Sequence, residues 1–288
     1  MAESYRAYNP PRSADWNYGG SKWKLSRSKI DLFTDCPLCF YLDNRLGVAR
    51  PRGPSFTLNI AVDALLKKEF DLHRVQQTTH PLLEKYGVDA VPFQHPEIDA
   101  WRENFVGIQY RHPATGFLIT GAIDDIWVNP AGELIIVDYK ATSKDGDIHT
   151  LSDSGWDEQY KRQMEIYQWL FRQKGFKVSD TGYFVYVNGK KDRAAFDGKL
   201  EFDVTLIPHT GTDDWIEGVL TKIKKCLDSD TLPKPSDDCD HCRYRKIAQK
   251  VQVDFLKETG MIVTEKKKSV VKKQTKKKSD ENNTSSLF

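Results

Sequence analysis

A short apolar run that ends in charged residues is the strongest constraint on how this chain of 288 residues folds. Residues 134–137 are Leu-Ile-Ile-Val, which is typical of a strand covered on both faces, and Asp138-Tyr139-Lys140 follows directly. Because side chains alternate along a strand, Asp138 and Lys140 share one face and Tyr139 lies on the other. The sequence therefore predicts charged groups at the end of a buried central strand.

The pattern around this run predicts an α/β or α+β core. Strands are expected at residues 117–128, 133–142, 182–188 and 201–207, and the first two flank the turn Asn-Pro-Ala-Gly as a hairpin. Helices are expected at residues 57–74, 157–173 and 213–227, together with an early helix that begins at Ser26 or Ser28 and is interrupted at Pro37.

The turn of the hairpin sets a register that can be tested. If Asn129 pairs with Glu133 across a three-residue loop, Asp124 lies directly opposite Asp138, whereas a four-residue loop breaks this register. Opposed carboxylates repel unless a cation lies between them, and hard oxygen ligands suit Mg²⁺ or Mn²⁺. The alternative is that Asp-x-Lys is only a common tripeptide and that Asp124 marks a strand end.

The helix at residues 157–173 adds a polar group to an apolar face. Gln163 and Tyr167 share a helical stripe with Tyr160, Met164 and Phe171. A buried amide needs a polar partner, which is either a site residue or an ordinary partner in the core.

Gly121-x-x-Asp124, Asp138-Tyr139-Lys140 and Gln163-x-x-x-Tyr167 together resemble the RecB-like branch of the PD-(D/E)xK nuclease superfamily, similar to AddB and CRISPR-associated RecB-like exonuclease domains. The resemblance implies a restriction-endonuclease-like α/β core, with a central mixed sheet flanked by helices and closed by a four-Cys metal site. It implies a metal-dependent nuclease that hydrolyses phosphodiester bonds in DNA, an exonuclease rather than an endonuclease, in recombination, repair or replication-linked processing.

Residue by residue, the resemblance implies that Asp124 and Asp138 hold the metal and that Lys140 orients the attacking water, while Gln163 and Tyr167 hold substrate. Two positions depart from the family pattern. Ile123 stands where the family has a nominal Pro, and residues 59–71 lack the His that many relatives carry on an upstream helix. Asp63 lies in that helix, as a further ligand or as an acid at the helix edge.

Two Cys-x-x-Cys pairs, separated by about 200 residues, predict a four-thiolate metal site made of Cys36, Cys39, Cys239 and Cys242. Cys226 lies alone on a predicted helix and is expected in the core. The RecB-like resemblance implies a 4Fe–4S cluster, yet position 248 is Ala where relatives have a third C-terminal Cys. Structural Zn²⁺ is therefore the alternative, and either metal would link the N-terminal helix to the C-terminal segment.

Charge divides the chain unevenly. Residues 259–288 hold eight Lys and three acidic residues, a net charge of +5, and the other 258 residues carry −3. We therefore expect a flexible arm at residues 1–24, a nuclease domain at residues 25–258 and a disordered Lys-rich tail at residues 259–288. The tail would attract DNA in a salt-dependent way, unless it is only solubilising.

Further expectations concern partners and location. The terminal Leu287-Phe288 is similar to C-terminal peptides that bind sliding clamps, and the lack of a P-loop leaves any motor function to a helicase or recombination partner. The apolar runs are too short to span a bilayer, which predicts a cytoplasmic protein without a membrane partner. The rival function is a non-catalytic or adaptor nucleic-acid-binding protein on the same fold, stabilised by the four-Cys site.

Overall fold

Eight strands and eight α-helices form within the residues that the computed structural model describes, which are 12–261 without 52, 54, 55, 147 and 154. The strands are β1 (Leu25–Ser26), β2 (Val91–Pro92), β3 (Ile108–Arg111), β4 (Leu118–Gly121), β5 (Asp125–Val128), β6 (Leu134–Thr142), β7 (Thr181–Gly189) and β8 (Phe202–Thr210). The helices are α1 (Arg27–Asp35), α2 (Pro37–Asn44), α3 (Thr57–Gln76), α4 (Pro81–Lys85), α5 (Ile98–Arg102), α6 (Gly155–Gln173), α7 (Asp214–Asp228) and α8 (Asp240–Glu258). The expectations for residues 1–11, the Lys-rich segment 266–278 and Leu287-Phe288 lie outside the described residues.

The main sheet has five strands in the order β2-β5-β6-β7-β8. β6 and β7 run parallel, and α6 is the crossover between them, while the other neighbours are antiparallel. A smaller sheet has the order β1-β4-β3. The predicted mixed α/β architecture is confirmed.

Alternating side chains of β6 fill two separate hydrophobic clusters. Ile136 packs in the cluster that also holds α6 residues, whereas Ile135 and Val137 pack with Phe70 of α3. The strand is therefore covered on both faces, as its apolar run predicts. Asp138 continues the face of Ile136, toward α6.

The expectation of one strand at residues 117–128 is wrong. β4 and β5 belong to different sheets, and residues 122–124 between them are not in a strand. The Ile123 side chain is buried, and its amide donates to the Trp101 carbonyl at 3.1 Å. This contact with α5 replaces a strand pairing and leaves Asp124 at the entrance to β5.

The early helix begins and breaks where the sequence predicts. Ser26 caps α1, since its side chain accepts a hydrogen bond from the Lys29 amide, and Pro37 is the first residue of α2. Upstream, within the segment expected as a flexible arm, Tyr18 and Trp23 pack edge-on against Phe117. Burial of aromatic surface against the core explains this packing. The predicted domain boundary at residue 24 stays a prediction.

By its internal contacts the chain divides into two compact units, one ending at Cys242 and one beginning at Arg243. In the second unit α8 exposes Tyr244, Val251 and Phe255. Among the described residues, every helix is too short or too polar to cross a membrane.

Candidate active site and four-cysteine group

The predicted hairpin register is confirmed. Asp125 pairs with Val137, and the Asn129 amide donates to the Glu133 carbonyl at 3.1 Å across the turn. The next position beyond the Asp125–Val137 pair belongs to Asp124 on one side and to Asp138 on the other. The strand ends therefore bring the two acids together.

A backbone hydrogen bond fixes the Asp124 side chain at this strand end. Its Oδ2 accepts from the Tyr139 amide at 2.9 Å, and its Oδ1 lies 3.4 Å from Lys67 Nζ. Asp124 is about one quarter exposed, whereas the Asp138 side chain is fully buried. One acid can thus be reached from solvent while the other is enclosed.

Lys140 and Gln163 both bind Asp138. Gln163 Nε2 donates to Asp138 Oδ1 at 2.7 Å, and Lys140 Nζ forms an ion pair with Asp138 Oδ2. Lys140 Nζ also donates to Gln163 Oε1 at 3.3 Å, and Gln163 Nε2 donates to the Tyr167 hydroxyl at 3.2 Å. The buried amide therefore has its polar partners in the predicted site, and all five predicted residues, Asp124 included, lie together.

Burial and the neighbouring opposite charge shift the pKa values of Asp138 and Lys140 in opposite directions. Burial raises the pKa of Asp138 to about 6, with a further contribution from Asp124, although Lys140 opposes the shift. Burial lowers the pKa of Lys140, but the carboxylates of Asp138 and Asp124 outweigh it and the pKa lies above its ordinary value. Lys140 is therefore a cation at neutral pH.

Tyr167 approaches the site because position 121 is glycine. A Cβ atom at Gly121 would lie 2.6 Å from Tyr167 Cε1, which real structures do not tolerate. Tyr160, one turn before Gln163 on α6, places its ring 4.3 Å from Lys140 Nζ, in range of a cation–π contact. The close packing of Tyr167 thus explains why the sequence pattern has glycine at position 121.

Three charged neighbours were not among the predicted site residues. Lys67 Nζ lies 2.9 Å from Asp63 Oδ2 as well as close to Asp124, and burial and Asp124 raise the pKa of Asp63. Arg27 interacts with Tyr167 and Asp138 from the start of α1. The sequence signal for Asp63 was its place on the apolar stripe of α3, but no motif marks Lys67 or Arg27.

Asp125, beside the predicted ligand, anchors a buried ionic network. Its carboxylate is fully buried and pairs with Arg74 and, at 2.9 Å, with Arg102. The Tyr139 hydroxyl donates to it at 2.8 Å, and Arg102 Nε donates to the Asp124 carbonyl at 3.0 Å. Arg102 therefore holds both the Asp125 side chain and the backbone of Asp124.

The donor set fits a divalent cation. Asp138 Oδ2 and Asp124 Oδ1 are hard oxygen donors of the kind that Mg²⁺ or Mn²⁺ binds, and the ammonium groups of Lys140 and Lys67 balance their charge in this structure. A cavity of about 150 Å³ is lined by Lys140, the partner of Asp138, and by Asp63 and Tyr160 among others. Asp124 and Asp138 could hold the metal, with Asp63 nearby.

The two Cys-x-x-Cys pairs meet as predicted. All four sulfur atoms lie within 4.8 Å of one another and all four residues are buried. Cys36 is the residue between α1 and α2, Cys39 lies on α2, and the second pair lies at the start of α8. The arrangement is compatible with a metal site, and Cys226 lies apart from it, half-buried against the main core.

No curated protein matches the sequence. A solved structure described as "Crystal structure of SSO0001" is 14% identical and covers 73% of this chain and 79% of its own, with a TM-score of 0.33, which is too low to support an inference.

The family model of the PD-(D/E)XK nuclease superfamily matches residues 24–247, well over half of the chain. The matched range holds both acids, Lys140 and the four-cysteine group. Members of this superfamily use divalent metals, which the carboxylate pair fits. The chain therefore belongs to the PD-(D/E)XK nuclease superfamily, which implies a metal-dependent nuclease.

Proposed function

We propose that the chain is a RecB-type nuclease that hydrolyses phosphodiester bonds in DNA, with Mg²⁺ or Mn²⁺ held by Asp124 and Asp138. One observation carries the proposal: Lys140 and Gln163 bind Asp138 at the strand end where Asp124 also lies. If Asp138 and Lys140 were only a structural ion pair in a closed core, the two residues would need no further polar partners. Here a second carboxylate, an amide and an open cavity adjoin the pair.

The RecB-type branch is favoured by the contacts of α6. Gln163 and Tyr167 are the two residues that the resemblance assigns to this helix, and they bond to each other and, through Gln163, to Asp138. The similarity to AddB and to CRISPR-associated exonuclease domains belongs to this proposal.

Each residue has a distinct part in the proposed reaction. Lys140 is a fixed cation that orients the attacking water and neutralises negative charge on the phosphate as it develops. Gln163 holds both Lys140 and Asp138 in place, so the ammonium does not need to reorganise during the reaction. Asp124 and Asp138 would hold Mg²⁺ or Mn²⁺, which would supply polarisation of the phosphate and a lower pKa of bound water.

A nuclease assay tests the proposal. The full chain is incubated with end-labelled single- and double-stranded DNA, with RNA of the same sequence, and with Mg²⁺, Mn²⁺ or EDTA. We expect metal-dependent cleavage of linear DNA, slower cleavage of RNA, and little cleavage of circular single-stranded DNA, since an exonuclease needs an end. Cut circles would make it an endonuclease, and intact DNA with both metals would refute the proposal.

The Lys-rich tail is proposed to recruit DNA to the nuclease domain. Removing residues 259–288 should weaken DNA affinity by about tenfold or more at low salt and reduce the slope of log affinity against log salt, because fewer phosphates are neutralised. The cleavage rate of saturating substrate should stay nearly constant. Fluorescence anisotropy over a salt series measures the affinity, and a tail with all Lys replaced by Gln is the matched control for length. If the slope of log affinity against log salt is unchanged by the deletion, the tail does not recruit DNA.

The cellular role and partners follow from the same proposal. Processing of DNA ends in recombination, repair or replication would involve a helicase or recombination partner, and Leu287-Phe288 is proposed to bind a sliding clamp. If this proposal is right, deletion of these two residues abolishes clamp binding.

A further inference from the structure

We propose that the four-cysteine group binds one tetrahedral Zn²⁺ ion, and not the 4Fe–4S cluster that the RecB-like resemblance implies. The sulfur atoms of Cys36 and Cys242 are 3.7 Å apart, and Cys39 lies 3.6 Å from Cys239 and 3.5 Å from Cys242. These separations set the size of the ion or cluster that the four thiolates can surround.

A single zinc ion requires this spacing. Zn–S bonds are ~2.3 Å long, and four sulfurs arranged tetrahedrally at that distance lie about 3.8 Å apart. The three contacts at 3.5–3.7 Å are close to that edge, and the longest separation in the group stays within 4.8 Å. The sulfur atoms in these three contacts are within a few tenths of an ångström of that edge, and the other pairs exceed it by about 1 Å at most.

An iron–sulfur cubane requires more room. Each thiolate binds a different iron atom on the outside of the cluster, so the sulfur atoms of the protein are separated by the whole cubane. A group in which every pair lies within 4.8 Å would have to open at α2 and at the start of α8 to accept it. The residues present therefore do not fit the cluster without rearrangement.

Arg50 adds a counter-charge beside the group. Four thiolates and one Zn²⁺ carry a net charge of −2, which is costly to bury without a compensating cation. Arg50 Nη2 donates to Cys239 Sγ at 3.4 Å, while Asp35 holds its Nη1 at 2.6 Å. Donors of this kind orient metal-binding cysteines and stabilise the bound ion.

The zinc would have a structural role. Cys39 and Cys239 are 200 positions apart, so the ion would close a very long loop and restrict the unfolded chain. It would also fix Arg50, which lies in the segment between α2 and α3.

Metal analysis of the full chain tests the proposal. The protein is produced in medium with both iron and zinc, purified without oxygen, and analysed for zinc, iron and acid-labile sulfide. We expect one zinc per chain and, by X-ray absorption at the zinc edge, four sulfur neighbours at about 2.3 Å. Iron with labile sulfide, or zinc with oxygen and nitrogen neighbours, would overturn the proposal, as would a chain free of bound metal.

Two variants locate the ion. Asp138→Asn should keep the zinc, because the carboxylate site is separate, and loss of zinc in this variant would place the ion there instead. Arg50→Ala should fold and lose about 10- to 100-fold in zinc affinity in a chelator competition. If Arg50→Ala binds zinc as tightly as the unmodified chain, Arg50 does not act as the counter-charge of the site. These readouts do not depend on nuclease activity, so failure of the nuclease proposal would leave them unchanged.

Discussion

Replacing Lys140 with alanine is expected to lower the rate of DNA cleavage by about 10²- to 10⁴-fold, the range for removing a positioned group that handles the proton or charge of a reaction. Lys140 Nζ contacts both Asp138 and Gln163, so alanine leaves the carboxylate without its cation and the amide without its donor. Single-turnover cleavage of saturating linear DNA with Mg²⁺ or Mn²⁺ measures the effect.

Lys144 provides the matched control for Lys140. It lies four residues further along the chain, is half exposed and pairs only loosely with Asp157 at 3.8 Å. Lys144→Ala removes the same charge and should change cleavage by a small factor. DNA affinity measured with Ca²⁺ should stay similar in both variants. Full cleavage by Lys140→Ala would show that the proposed site is not where the reaction takes place.

Replacing Asp125 with asparagine is expected to cost about 3–5 kcal/mol in the free energy of unfolding, because two buried arginines lose the buried carboxylate that they share. Asp125 is fully buried, and the side chains of Arg74 and Arg102 are each less than one tenth exposed. A loss of this size is a large share of the 5–15 kcal/mol typical of a folded protein. Urea unfolding monitored by circular dichroism measures it.

Asp71 is the matched control for Asp125. Its carboxylate pairs with the same two arginines, Arg74 and Arg102, but is 42% exposed. Asp71→Asn should therefore cost no more than about 1 kcal/mol. Since Arg102 also binds the Asp124 carbonyl, Asp125→Asn should weaken metal binding to the folded chain. Equal losses of stability in the two variants would contradict the role given to burial.

The parts of the fold that the sequence predicted depend on neighbours along the chain. The turn at residues 129–132 sets the register that brings Asp124 to Asp138, and the apolar run of β6 predicts its coverage on both faces. Gln163 and Tyr167 follow from helical spacing on α6. Each of these patterns extends over fewer than about twenty residues, within the range where periodicity is informative.

The missed elements are short or lack a clear period. β3 and α5 hold only four and five residues, and most large apolar side chains of α8 are exposed, so they do not mark a face that packs on the core. The sequence does not predict the break at residues 122–124, because an apolar stretch alone predicts one continuous strand. The break depends on which segments pack against it. Ile123 bonds to Trp101 there, a contact that no local rule predicts.

By itself, the sequence determined the α/β class, the hairpin that pairs the two acids, and the identity of the four cysteines. Only the tertiary structure decided which charges surround these groups. Lys67, Arg102 and Arg50 come from distant segments and reach Asp124, Asp125 and Cys239 through the packing of the core. The physical reason is that register and helical faces follow from local geometry, whereas the partner of a buried charge is set by the folding of the whole chain.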